Sequence, residues 1–137
     1  MSEWYSGIEA TVFTQLEYML TIRDKAPYPK LNCRTTSETI TPAKFPTLYL
    51  HETQEELGED LTNETVNAVN STLYVRVWTN TSEQDCKDIL VSATEELKRL
   101  HYNVRNLPTT QLTNKIAYGE IMARRVIGNA DKDIVKE

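Results

Sequence analysis

The stretch from Val69 to Tyr102 constrains the fold more than any other part of this 137-residue chain. It opens with strict alternation: Val69, Ser71, Leu73, Val75 and Val77 share one face, and Asn70, Thr72, Tyr74, Arg76 and Trp78 the other. A period of two in β-branched and aromatic residues specifies a strand with one face on a core. Thr79, Asn80, Thr81 and Ser82 then interrupt the pattern and supply a helix N-cap, with Gln84 or Asp85 as the partner in the first turn. Beyond the cap, Cys86, Ile89, Leu90, Ala93, Leu97 and Leu100 recur at helical spacing. Glu83 and Asp85 complement the positive end of that helix, and Lys98, Arg99 and His101 the negative end.

The flanking segments add elements on both sides. Ser6 and Glu9 have the spacing of a capping box, followed by Ile8, Val12, Leu16, Met19 and Leu20 on one helical stripe with Phe13 and Ile22 at its edges. That helix is expected to run to about Asp24, before Pro27 and Pro29. Leu31, Cys33 and Thr35 predict a short strand, and Phe45 to His51 another, with Pro46 near its start. Thr36 to Lys44 reads as a polar loop. The acidic run from Glu52 to Glu64 reads as a solvated loop between strands, and its spacing does not fit a calcium loop. After the central helix, Tyr102 to Leu107 predicts a short strand, Pro108 to Asn114 a loop, and Ile116 to Ile127 a long strand. Residues 129–137 alternate charge with little to bury and read as a frayed, flexible tail. The order predicts one α+β domain spanning 1–137: a mostly antiparallel sheet of about four to five strands with two helices on one face.

Composition narrows the function classes. A net charge of −5 and pI near 5.1 argue against holding duplex nucleic acid through its phosphates. The two cysteines, Cys33 and Cys86, belong to no metal-binding spacing and read as reduced thiols. No segment looks like a signal peptide or a membrane span, so neither membrane association nor export is expected, and the three Asn-x-Ser/Thr matches read as chance. The four glycines stand far apart, which removes phosphate-loop and dinucleotide patterns; no nucleophile elbow occurs, and His51 and His101 are isolated. No catalytic residue, metal or cofactor is therefore expected.

The remaining candidates are contact residues. Glu55, Glu56, Glu59 and Asp60 form an acidic surface. Tyr74, Arg76 and Trp78 are large side chains on a sheet face that two helices on the other side would leave uncovered. Arg124 and Arg125, adjacent on a strand, point to opposite faces, either as an exposed pair beside the acidic surface or as intersubunit ion-pair donors.

The succession is an amphipathic helix, the Phe45–Leu50 strand and the Glu55-x-x-Gly58-x-Asp60-Leu61 connection, then the Leu73–Trp78 strand and a helix ending Glu95–Leu100. His101–Val104 and a final Arg124–Gly128 segment complete it. Over Ile8 to Gly128 this order resembles the tail terminator, or tail completion, proteins of long-tailed bacteriophages. It departs from the expected pattern at His101, where a glycine would end the helix. The resemblance implies a virion structural protein, assembled in the host cytoplasm and sited at the head-proximal end of the tail. It implies a homo-oligomeric ring, a hexamer, that caps the tail tube, stops its polymerisation and joins the tail to the head connector. DNA would pass through the lumen without specific binding. Three other readings compete: a head–tail joining or head-closure protein; a small dimeric ligand-binding or regulatory module with a pocket of Tyr49, Tyr74 and Trp78; and an enzyme using His51 with a carboxylate between Glu52 and Asp60.

Overall fold

A computed structural model describes residues 4–35, 45–57, 68–106, 109–128, 130–131 and 133–135. Helix α1 (Ile8–Glu17) passes into a π-helical turn (Tyr18–Ile22) and is followed by strands β1 (Asn32–Arg34), β2 (Thr47–Leu57) and β3 (Ala68–Thr79). Helix α2 (Glu83–Arg99) comes next, then β4 (Asn103–Val104), β5 (Thr109–Thr113) and β6 (Ile116–Gly128). The architecture is α+β, with six strands among the described residues where four to five were expected. The sheet order is β1-β2-β3-β6-β4, and β5 pairs with β6 on the same edge as β4. All pairings are antiparallel except β1 with β2.

The alternation in β3 works as its chemistry dictates. Val69, Leu73, Val75 and Val77 are buried on one face, with Leu48 and Leu50 of β2 and Ala117, Ile121, Ala123 and Ile127 of β6 beside them. Ile8, Val12, Leu16 and Leu20 from the first helical segment and Cys86, Ile89, Leu90, Ala93 and Leu97 from α2 complete the same cluster. Every sheet residue of that core lies on one face, so both helices cover that face (here the inner face). Gly119 on β6 is where α2 comes nearest: a Cβ there would sit 2.5 Å from Leu90 Cδ1 and 2.9 Å from the Thr109 carbonyl. The position admits only glycine without repacking.

Four local expectations are corrected. The Ser6–Glu9 capping box does not form: the N-cap is Gly7, with no side-chain cap, because the Glu9 carboxylate instead accepts from the Glu52 backbone N–H at 2.8 Å. The acidic stretch is not all loop, since Glu52 to Leu57 continue β2 in register with Leu73 to Ala68. Exposed strand positions on a half-covered sheet tolerate carboxylates, so polarity alone was a poor guide. Glu59 and Asp60 lie outside the described residues. The segment from Pro108 to Asn114 holds strand β5, closed onto β6 by Asn114 and Lys115 with φ of 51° and 66°, the signs of a two-residue hairpin turn. Within the tail, where little was expected to be buried, Ile134 and Val135 are buried in the main core, while Ala130 and Asp133 are exposed.

The caps of α2 follow the sequence closely at one end and depart from it at the other. Ser82 Oγ accepts from the Asp85 N–H at 3.1 Å. At the C-terminus, His101 takes the left-handed conformation (φ 64°) that glycine usually fills. Its N–H donates to the Lys98 carbonyl at 2.9 Å and the Tyr102 N–H to the Leu97 carbonyl at 3.0 Å, the bond pair of a Schellman ending. Buried Tyr102 and Leu97 supply the apolar contact that accompanies it. Because a side chain in this conformation costs about 1–2 kcal/mol, His101→Gly should gain about 0.5–1 kcal/mol, after the backbone entropy of glycine. Thermal unfolding followed by circular dichroism should show a rise of about 2–4 °C.

Candidate interaction surface

The second face of the sheet is built from the other half of each strand's alternation. Across β2, β3 and β6, its rows are Thr47–Trp78–Tyr118, Tyr49–Arg76–Glu120, His51–Tyr74–Met122, Thr53–Thr72–Arg124 and Glu55–Asn70–Val126. None of these residues belongs to the apolar core cluster. The face assignment of Tyr74, Arg76 and Trp78 is therefore as the alternation predicts, and no helix covers them.

Their exposure is another matter. Trp78 is only 8% exposed and Tyr49 6%, whereas Arg124 is exposed and Val126 is 60% exposed. The face closes at one end and opens at the other. At the closed end the Trp78 and Tyr118 rings lie 5.2 Å apart. Arg76 forms an ion pair with Glu120, which also accepts from the Tyr118 hydroxyl at 3.1 Å. The expectation that Trp78 stands uncovered is thus corrected: its neighbours on the same face enclose it. Beside it is a concavity of ≈ 320 Å³ lined by Arg76, Gln111, Asn114 and Tyr118, among others, which Tyr49 and Tyr74 do not line. The aromatic ligand pocket of Tyr49, Tyr74 and Trp78 is not assembled there.

The paired arginines separate as adjacent strand residues must. Arg124 is on the open face. Arg125 points to the inner side, with a side chain 10% exposed, donating to the Leu100 carbonyl at 2.7 Å and to Asp133 through two nitrogens at 2.9 and 3.0 Å. It ties the end of α2 to the tail, and these hydrogen bonds hold the Asp133 carboxyl below its usual range. Of the two, Arg124 alone presents its charge to solvent. Glu55 and Glu56 are exposed on β2, Glu55 on the open face and Glu56 on the inner side.

His51 and Glu52 fall on opposite faces. His51 Nδ1 is 3.8 Å from a Glu9 oxygen, so among the described residues its carboxylate partner comes from α1 and not from Glu52, Glu55 or Glu56. Glu52 belongs to a polar chain under α1 that sequence inspection missed. Ser71 Oγ donates to one Glu52 oxygen, Gln54 Nε2 donates to the other at 2.9 Å, and Ser71 Oγ is 2.7 Å from the Tyr102 hydroxyl. The signal was Ser71 on an otherwise apolar face. Burial pushes the Tyr102 phenol and the Glu52 carboxyl up. Burial also raises the thiols, Cys33 to about 12 and Cys86 to about 11, which keeps both free cysteines protonated and unreactive.

Among the described residues no three His, Cys, Asp or Glu side chains gather as a metal site, and no helix is long and apolar enough to cross a membrane. No protein-family model and no curated protein matches the chain.

The Glu52 network makes a pH prediction. Its folded-state pKa lies above its ordinary value of 4.5, so its stabilising contribution is full below that value and is lost as pH rises through the folded-state value. Glu52→Gln removes the titration and keeps one acceptor oxygen for Gln54, while its amide N–H donates to Ser71 Oγ in place of the bond that Ser71 gives the carboxylate. The stability of the native protein relative to this variant should fall as pH rises from 4 to 8, measured by urea unfolding across that range. A constant difference would mean that Glu52 does not titrate within its fold.

Proposed function

We propose that this protein is a structural component of a long-tailed bacteriophage virion, a tail terminator. As a homo-oligomeric ring, a hexamer, it caps the head-proximal end of the tail tube, stops tube polymerisation and joins the tail to the head connector. One observation carries the reading most: the open end of the sheet face, where Arg124 and Val126 are exposed beside Tyr74 and Met122 and no helix packs. A broad, shallow surface mixing charge with apolar side chains suits protein contact better than capture of a small substrate, which needs an enclosing pocket. The order of elements supports the reading too, as does the single-faced core, which leaves the sheet available for assembly.

The acidic character fits a subunit whose lumen passes DNA without holding it, because repulsion between wall and phosphates discourages binding. The polar chain at Glu52 and the clamp at Arg125 then serve the fold, and the reading needs neither catalysis nor a cofactor.

Particle mass combined with negative-stain imaging tests this reading. The expected result is a ring of defined stoichiometry that decorates one end of tail tubes, with tubes growing overlong when the protein is omitted. A protein that stays monomeric at all concentrations and never binds tubes would contradict it. A ring that binds connectors while tube length stays normal would move the assignment to a head-closure role.

A further inference from the structure

The open end of the sheet finishes in two edges of opposite charge. On one side, the edge of β2 away from β3 has no strand partner among the described residues beyond Tyr49, and this part of β2 carries exposed Glu55 and Glu56. On the other, β4 and β6 border a concavity of ≈ 610 Å³ whose lining includes Arg105, Arg124 and Val126. Arg125 and Asp131 also line it, but their charges are committed to each other at 3.8 Å and to Asp133. Among the described residues, Arg105, Arg124, Glu55 and Glu56 form no ion pair.

Register places the two patches near the same end of the sheet. Glu55 lies in the row of Asn70 and Val126, and Arg124 lies one row away, a step of about 7 Å along the strands. Within a subunit, β2 and β6 are two strand spacings apart, roughly 10 Å. The four exposed charges are left to solvent and are open to a partner from outside. A surface used twice over, acid on one edge and base on the other, is what a head-to-tail contact requires.

We propose that the occupant of the Arg105–Arg124 concavity is a second copy of this chain, entering with the Glu55–Glu56 edge of its β2. The proposal rests on the ring reading above and specifies the contact that builds it. Salt weakens assembly through this contact, because rim charges are screened. Val126 lies beside the basic pair and loses its exposure when the neighbour's β2 arrives.

Charge reversal tests the pairing, with particle mass measured over a concentration series and circular dichroism confirming the fold. Arg124→Glu, and separately Glu55→Lys with Glu56→Lys, should each raise the concentration for half-assembly by about tenfold or more, since like charges then face each other. The two defective proteins mixed together should assemble, as each supplies the edge the other lacks. The triple variant carrying all three changes should form rings alone. If Arg124→Glu assembles like the native protein, or if mixing restores nothing, the proposed edge pairing is wrong while the ring reading stands. If the native protein forms no ring, both fall. Arg124→Gln, a milder change at the same position, should weaken assembly less than Arg124→Glu; equal or greater weakening would also count against the ion pair.

Discussion

The structure depends on one constraint: the core residues of three long strands are gathered on a single face of the sheet. β2, β3 and β6 contribute Leu48, Leu50, Leu73, Val75, Val77 and Ile121 to the same side, and α1 and α2 supply the matching stripes. Burial of a side chain of this kind contributes about 1.5–3 kcal/mol, so the fully buried set dominates the stability of the domain. With both helices committed there, the second face has no cover from the rest of the described fold. Packing is close at Gly119, where a Cβ would meet Leu90 of α2 and the Thr109 carbonyl of β5.

Several polar groups beside the core are satisfied in ways that tie distant elements together. Glu9 reaches from α1 to the β2 backbone at Glu52, and Ser71 links Glu52 to Tyr102. Arg125 bonds the last carbonyls of α2 and the tail at once. Buried or half-buried polar atoms are costly without partners, so these bonds pin α1, the α2 terminus and the tail around the core. They explain why Ile134 and Val135 are buried in a segment whose charges suggest solvation.

How much of this was legible in the sequence follows from range. The β3–α2 unit was clear because both of its signals are local: alternation needs only the strand, and the Ser82 cap only its own first turn. The faces of β6 and the opposition of Arg124 and Arg125 were legible for the same reason. β5 was not, because a Thr-rich strand at an edge acquires its conformation from pairing with β6, and Asn114–Lys115 lacks the glycine that usually marks such a turn. The acidic part of β2 was hidden because exposed strand positions accept carboxylates. Alternation placed Trp78 on the correct face but could not reveal Tyr118 beside it, which arrives from forty residues downstream. The Glu52–Ser71–Tyr102 chain joins three separate elements and leaves only a lone serine as its trace.

The central claim is that the open face, and not a pocket, is where this protein acts, through contact with other copies of itself. Hydroxyl-radical footprinting of the assembled and dilute protein tests it most directly. The account predicts that Met122 and Val126 become protected on assembly, while Val91, 40% exposed on α2, keeps its reactivity. Protection confined to the helical side, with Val126 as reactive in the assembly as in the dilute protein, would contradict it.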